Sequence, residues 1–532
     1  MNLLLSLLSY VAPRHVQRAV NARLELLALD HLRSFEATNP HRLRAKIPTT
    51  LLGPRTEVAQ NRQNLLASSR DLDRNVSWVH GVWNAIANNV VGMGIRPESR
   101  IRKRRRSPGE RGVSFDEAKN DQAAAAWDEW ARGVDLQGRM SFYRFQWLVE
   151  RELNVSGEAF VVFSTPPKGT KRKVPLILDL VSAERIATLD EPAPGGGNEI
   201  VQGVEFDSEK RIVAYHIYEQ DPADGLSITS QSTTAKRVPA DRVLHLFSPH
   251  RPGAIRGLPR IHSVARTFEA LAQYLDFELT RARIASAFAL MIKRGGLPLR
   301  LPQPLDASET PTSDDAGNPI GQVEGGMILS GGPNDSFESA SANIASTSFE
   351  PFVKLMLRSA AVGINVSYGF LARDYSDSSF SAARQQYLED IKAWCPRQSF
   401  LVEQLCMPVA DEFFRCALVA GVQPFTGMRR EEWELMWRTP GWDWVDPGKE
   451  MEAELEAIRA GLKSPQESAQ ERGRDYYEVI EQLAEAKAFA KENGMELSIF
   501  QPKVPAATTN GVKKPNPKVN DGEQEDEDTP EA

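Results

Sequence analysis

Gly363–Trp394 reads GINVSYGFLARDYSDSSFSAARQQYLEDIKAW, a short loop feeding a long helix. The loop part, Ala372–Ser381, is small, polar and acidic. Ser and Asp side chains compete for backbone hydrogen bonds, so they favour turns and helix N-caps over helix interiors. After Ser381 the helical signal is strong, with Ala382, Ala383, Arg384, Gln385, Gln386, Leu388 and Glu389.

That stretch, a "YG" segment, then "DYS", a Ser-rich turn and "SAARQ", resembles the lambda-type portal proteins of tailed bacteriophages, and the resemblance extends along the chain in order. Asp73-Arg74-Asn75, Trp83-Asn84-Ala85 and Val90–Ile95 are similar to the family's opening "RN…N-x-VG-x-GI". Trp127-Asp128-Glu129-Trp130 matches its W-x-x-W, and Gly157-Glu158-Ala159-Phe160 its "GE-x-F". Gly203–Asp207 with Ala214–Ile217 resembles its "GVE-x-D…AYH", and Val243–Phe247 with Arg251–Gly257 its "V-x-H-x-F…RPGQ-x-RG". Ala254 departs from the family's usual Gln.

The resemblance implies an α+β multidomain chain with a portal-type fold. An N-terminal arm, partly mobile, covers residues 1–70 and an α/β wing residues 71–257. A first stem helix covers 258–294, a small β-containing clip 295–345 and a second stem helix 346–364. A channel loop covers 365–381, and a long kinked helix returning to the wing 382–445. A helical crown covers 446–500 and a disordered acidic tail 501–532. It implies a ring, of about twelve copies in the family's manner, at one capsid vertex of the virion, assembled in the host cytoplasm and passing double-stranded DNA in packaging and ejection. Its partners would be the large terminase subunit, major capsid and scaffold proteins, and head-completion proteins. The DNA-channel loop would be Arg373, Asp374, Tyr375, Ser376, Asp377, Ser378 and Ser379: Asp374 and Asp377 would repel phosphates while Arg373 and Tyr375 touch the backbone. Gly325, Gly326, Met327, Ile328 and Leu329 of the clip would meet terminase.

Composition is compatible with this. A chain of 532 residues exceeds one ordinary domain of ~100–200. Its 41% hydrophobic and 25% charged residues are those of a soluble globular protein. A net charge of −7 argues against a protein that coats nucleic acid. It suits one that DNA must pass, because each neutralised phosphate adds salt-dependent affinity. Cys395, Cys406 and Cys416 lack a C-x-x-C pattern; they read as buried thiols on one helical face in a reducing compartment. No apolar run approaches the ~20 residues of a membrane span, so no membrane partner is expected. Met1–Val11 is apolar but lacks the positive leader of a signal peptide.

Along the chain, residues 1–70 read as helical, then loop-like at Pro48, Gly53 and Pro54. Asp71–Val91 reads as an amphipathic helix with Trp78, Val82, Ile86 and Val90 on one stripe. Asp116–Arg132 and Ser141–Ser156 read as helices. Ala159–Ser164, Pro175–Leu180, Gly203–Phe206, Ile212–Tyr218 and Val243–Phe247 read as strands, with a hairpin turn at Asp207–Lys210. A helical pattern runs from Pro259 to Lys293; thirty-odd residues at ~1.5 Å each span about 50 Å. Residues 295–345 are too long for a structureless loop within a compact domain, and Phe349–Ile364 is a shorter helix. Pro396 and Pro408 each cost about 3 kcal/mol in a straight helix, which predicts kinks or breaks there. Asp446, as N-cap before Pro447, opens a final helical pair, which Glu478–Asn493 continues.

Arg100–Arg106, RIRKRRR, is the densest basic run. Arg102, Lys103, Arg104, Arg105 and Arg106 either form a solvated loop beside an acidic neighbour or contact DNA phosphates; in the second case the chain could instead be a nucleic-acid-binding scaffold. The run has no interleaved aromatics for base stacking. Trp433, Trp437, Trp442 and Trp444 read as a core cluster or a subunit interface, with a nucleobase platform as the other reading. No P-loop, G-x-S-x-G or H-E-x-x-H occurs. His245, His250 and His262 fall on a strand, a loop and a helix, and read as structural rather than as metal ligands. No enzyme activity, metal or cofactor is expected.

Overall fold

The computed structural model describes residues 53–103, 115–167, 169–188, 190–193, 197–222, 235–287, 291–293, 336–338, 349–442, 447–472, 474 and 476–495. The chain divides into two compact units, Met1–Pro440 and Gly441–Ala532.

The first unit begins with α1 (Pro54–Asn75) and α2 (Ser77–Val90). Pro54 opens α1, where a missing N–H is harmless, so the chain from here is a packed helix and not a loop-like arm through residue 70. Val58, Arg62, Leu66, Ser69 and Leu72 form its buried face. The single helix expected over Asp71–Val91 is divided at Val76, whose extended backbone (φ −108°, ψ 109°) ends α1 before α2 starts. Val79, Val82, Trp83, Ile86 and Val90 then face the core.

β1 (Arg96–Ser99) leads to α3 (Glu117–Ala131) and α4 (Phe142–Val155). Asp116 and Ser141 cap these helices, accepting from the Lys119 and Arg144 N–H groups. The sheet region follows: β2 (Glu158–Ser164), β3 (Ile177–Val181), β4 (Glu191–Pro192), β5 (Glu199–Val201), β6 (Val204–Phe206), β7 (Ile212–Tyr218), β8 (Ala235–Pro239) and β9 (Val243–Phe247). One sheet has the order β3-β2-β9 and a second the order β4-β5-β6-β7-β8. Pairing is antiparallel throughout. The expected hairpin turn is present: Asp207 Oδ1 accepts from the N–H groups of Glu209 (2.9 Å) and Arg211 (2.8 Å). Phe160, Val181, Ile186, Val204, Phe206, Tyr215, Ile217, Val243 and Ile255 pack into one core between the sheets. Burying each large apolar side chain contributes about 1.5–3 kcal/mol.

The long helical pattern after Pro259 is shorter than expected. A 3-10 turn at Arg260–Ser263 precedes α5 (Ala265–Ala287), because Val264 (φ −125°, ψ 2°) departs from helical geometry between them. β10 (Met291–Lys293) then pairs antiparallel with β11 (Ser336–Glu338). The expected contact residues Gly325–Leu329 lie outside the described residues. α6 (Phe349–Ile364) has the expected bounds.

α7 (Tyr368–Ala372) occupies part of the segment expected as loop, and α8 (Phe380–Leu401) continues without a break past Pro396. The irregularity falls instead at a π-helical turn, Val402–Cys406, just before α9 (Met407–Val419). Pro408 has no N–H and its ring crowds the carbonyl of Gln404; the wider turn, in which Met407 N–H donates to Val402 O, accommodates it. The sequence reading also missed β12 (Leu435–Arg438), which pairs with β1 from over 300 residues earlier.

Of the tryptophan-rich segment, Trp433 enters the core, whereas Trp437 and Trp442 are only partly buried. Trp433 is 1% exposed, 5.0 Å from Phe425 and 5.9 Å from Phe413 between ring centroids. Trp127 lies 5.0 Å from both Trp130 and Phe413. Trp433 Nε1 donates to Ser99 Oγ (3.0 Å) and Trp130 Nε1 to Leu176 O (3.0 Å), so these two polar edges are satisfied on burial. Trp444 lies outside the described residues. The thiols divide: Cys406 and Cys416 are buried as expected, whereas Cys395 is exposed.

Among the described residues the second unit holds α10 (Pro447–Arg459), α11 (Pro465–Glu471) and α12 (Tyr476–Glu492): the expected pair after Pro447 and, close to the expected bounds, the continuation over Glu478–Asn493. Ser464 and Glu467 form a reciprocal capping box at the start of α11. Residue 446, expected as an N-cap, is outside the described residues.

Candidate functional site: the Arg373–Ser379 loop and the buried centre at Glu158

The loop is built from three helices. α6 ends at Asn365 in the left-handed region (φ 60°), with Val366 N–H donating to Ala361 O (3.0 Å). Ser367 caps α7, accepting from Phe370 N–H (3.1 Å). Ser367 is itself held by Asp390 of α8: Oδ1 accepts from Ser367 N–H (2.7 Å) and Oδ2 from Ser367 Oγ (2.6 Å). Asp390 is buried, and desolvation raises its carboxyl pKa against the lowering effect of those bonds. Arg373, left-handed at φ 52°, ends α7 and is exposed.

The next residues are tied down one by one. Asp374 Oδ1 accepts from Ser376 Oγ (2.6 Å) and N–H (3.1 Å), and Oδ2 from Tyr368 OH (2.9 Å). Hydrogen bonds from Ser376, then Tyr368, lower its pKa to about 2. Tyr375 is half-exposed, with one ring edge against Gly369: a Cβ there would lie 2.6 Å from Tyr375 Cε1. Asp377 Oδ2 meets Lys354 Nζ of α6 at 2.6 Å. Ser378 N–H donates to Tyr375 O (3.0 Å), and Ser379 caps α8, accepting from Ala382 N–H (3.3 Å). The seven expected loop residues are therefore contiguous and mostly exposed. The Asp377 charge is offset by Lys354, which the sequence reading did not foresee.

Of the basic run, Arg102 forks onto Glu434, with Nε to Oε2 at 2.8 Å and Nη2 to Oε1 at 3.0 Å. It is thus engaged by an acidic neighbour. Lys103 is exposed, and Arg104, Arg105 and Arg106 lie outside the described residues.

A second centre escaped the sequence reading, although its parts were in the matched motifs. Glu158, wholly buried, accepts from Arg62 Nη2 (2.5 Å), from Arg256 Nη2 (2.7 Å) and Nε (3.0 and 3.1 Å), and from Gly257 N–H (2.9 Å). His245 Nε2 lies 3.1 Å from Oε2. A carboxylate only accepts, so the imidazole carries its proton on Nε2. Burial opposes the Glu158 charge, but Arg256 and Arg62 outweigh it and hold the carboxyl well below its usual range. The "GE-x-F", "V-x-H-x-F" and "RPG…RG" segments thus meet at one carboxylate. Gly157 and Gly257 allow the approach: a Cβ on Gly157 would lie 1.9 Å from Leu258 O, and one on Gly257 2.2 Å from Gly157 O.

Among the described residues no group of His, Cys, Asp and Glu is arranged to hold a metal ion, and no helix is long and apolar enough to cross a membrane.

The family model described as "Phage portal protein, lambda family" matches residues 41–398. The chain is similar to the "Probable portal protein" of Halomonas phage phiHAP-1, at 26% identity over 485 residues, covering 89% of this chain and 88% of that protein. It is also similar to "Portal protein B" of Escherichia phage lambda, at 23% identity over 452 residues, covering 78% and 82%. A chain in the solved "Virion of native gene transfer agent (GTA) particle" aligns over 76% of this chain and 91% of its own, at 13% identity and a TM-score of 0.39, too low to equate the folds.

Proposed function

Because the chain belongs to the lambda family of phage portal proteins, we propose that it assembles into a ring of about twelve copies, closed by repeating one heterologous interface, at one vertex of the capsid. The function of the protein is that of a portal: a ring through which DNA is packaged and ejected, and on which terminase and capsid proteins dock. It is a structural connector, not a catalyst.

The match over residues 41–398 carries this reading, since it takes in both the Glu158 centre and the Arg373–Ser379 loop. In it, residues 71–257 form the wing, α5 and α6 the stem, residues 295–345 the clip, α8 and its continuation the return to the wing, and residues 446–500 the crown. The clip, through Gly325–Leu329, receives terminase during packaging and head-completion proteins afterwards. Assembly takes place in the host cytoplasm and the product is part of the virion. The Arg373–Ser379 loop lines the channel, gripping DNA weakly or holding it against leakage. Exposed apolar side chains on the stem helices support a ring, because neighbouring copies would cover them: Phe277 is 71% exposed, Leu355 62% and Val362 80%.

Electron micrographs of the purified protein, with mass analysis, test the assembly. Rings with a central hole of duplex width are expected; a monodisperse monomer at high concentration, with no rings on adding scaffold or DNA, overturns it. For the clip, substitutions in Gly325–Leu329 that leave terminase binding intact would remove its assigned role.

A further inference from the structure

Two cations one turn apart on α6 face the loop. Lys354 Nζ bridges Asp377 Oδ2 (2.6 Å) and Glu350 Oε1 (2.8 Å). Arg358, four residues on and so on the same helix face, places its guanidinium carbon 5.3 Å from the centroid of the Tyr368 ring. Tyr368 in turn donates to Asp374 (2.9 Å). The loop is therefore held near its start through Arg358, Tyr368 and Asp374, and near its end through Lys354 and Asp377. Between these points Tyr375 rests on the bare backbone of Gly369.

We propose that Lys354 and Arg358 are positioning residues that latch the Arg373–Ser379 loop against α6, so that the loop's state is set by competition for the Lys354 ammonium between Asp377 and external anions.

The chemistry gives the latch a direction. Latched, Lys354 is paired with two carboxylates and offers little net positive charge to a phosphate. Released, it keeps only Glu350, and a phosphate oxygen competes for the vacated place. The Asp377 side chain is 67% exposed and that of Lys354 19%, so the pair is open to screening; the Debye length falls from ~10 Å at 0.1 M to ~3 Å at 1 M salt. Hydrogen bonds donated to Asp377, then to Glu350, raise the lysine pKa, so the ammonium stays charged at any working pH and ions rather than protons would operate the latch. The consequence for DNA passage rests on the portal reading, whereas the latch itself does not.

Arg373 lies exposed at the start of the loop, so cleavage after it by an arginine-specific protease, identified by mass spectrometry on the full chain, reports release. The wild-type cut is expected to accelerate about two- to fivefold between ~0.1 and ~1 M salt, the range for one exposed ion pair. Short polyphosphate at low salt is expected to do the same. Lys354→Ala should be cut fast at both salt levels, and Gly369→Ala, which lifts Tyr375, should also be cut faster. The exchange of both charges, Lys354→Asp with Asp377→Lys, should restore protection, a rescue that a merely destabilised variant would not give. Equal, salt-independent cleavage of wild type and Lys354→Ala, or no protection from the exchange, overturns the latch. If the latch holds while deletion of Asp374–Ser379 leaves packaging intact, the channel reading fails and the latch stands.

Discussion

Glu158 and Arg256 meet across 98 residues of chain, and neither side chain has any exposed surface. A charge buried so deeply is tolerable only if its partners are complete: two guanidiniums, an imidazole and a backbone N–H surround one carboxylate. Because the partners come from α1, β9 and the turn after β9, this carboxylate ties together three separate parts of the chain.

Glu158→Gln is therefore expected to cost about 3–5 kcal/mol, since it leaves two guanidiniums buried without a counter-charge. Chemical denaturation measures it. The folded-state carboxyl pKa is depressed, so the contribution is present above the unfolded value near ~4.3 and is lost as pH falls through the folded one. The variant should lose this acid-dependent part of its stability; equal stability of the two proteins at neutral pH would refute the role.

His245 predicts a second pH dependence. Desolvation lowers its imidazole pKa, so below the ordinary value near ~6.5 the unfolded chain takes up the proton first. The stabilisation is complete above that pH and declines as pH falls towards the folded value. His245→Gln keeps a donor for Glu158 and should shallow the slope of stability against pH between about 7 and 5. An unchanged slope would remove the imidazole from the account.

Gly157→Ala should prevent folding of the first unit. The backbone is left-handed at φ +79° and the new Cβ would overlap Leu258 O, a backbone atom that cannot swing away. Soluble, native-like protein by circular dichroism would contradict the close approach.

The thiols should react unequally. In the unassembled protein a thiol reagent should modify Cys395 at once, and Cys406 and Cys416 only on unfolding, because burial shields them and pushes the Cys416 thiol up to about 11. Rapid labelling of all three would show the α8–α9 packing to be wrong.

Deleting Asp374–Ser379 should leave rings intact and impair packaging or genome retention. Packaging and retention that survive the deletion would refute the channel role of the loop.

The sequence by itself determined the local elements whose signals lie within a few residues: α3, α4 and α6, and the Asp207–Lys210 hairpin; it placed the start of α8 at Ala382, two residues after the observed Phe380. Through its ordered motifs it also determined the family. The tertiary structure alone decided what has partners far along the chain. β1 and β12 are four-residue strands that make a sheet only because each completes the other. The π turn at Val402–Cys406 and the unbroken helix past Pro396 depend on the packing of α8 and α9, and no proline rule tells the two prolines apart. The Lys354–Asp377 tie needs α6 and the loop side by side. Glu158 looked like any of 71 acidic residues, because a carboxylate acquires a special environment only when folding removes water and brings Arg62, His245 and Arg256 around it. Periodicity and capping are properties of one segment; burial and charge pairing are properties of the assembled chain.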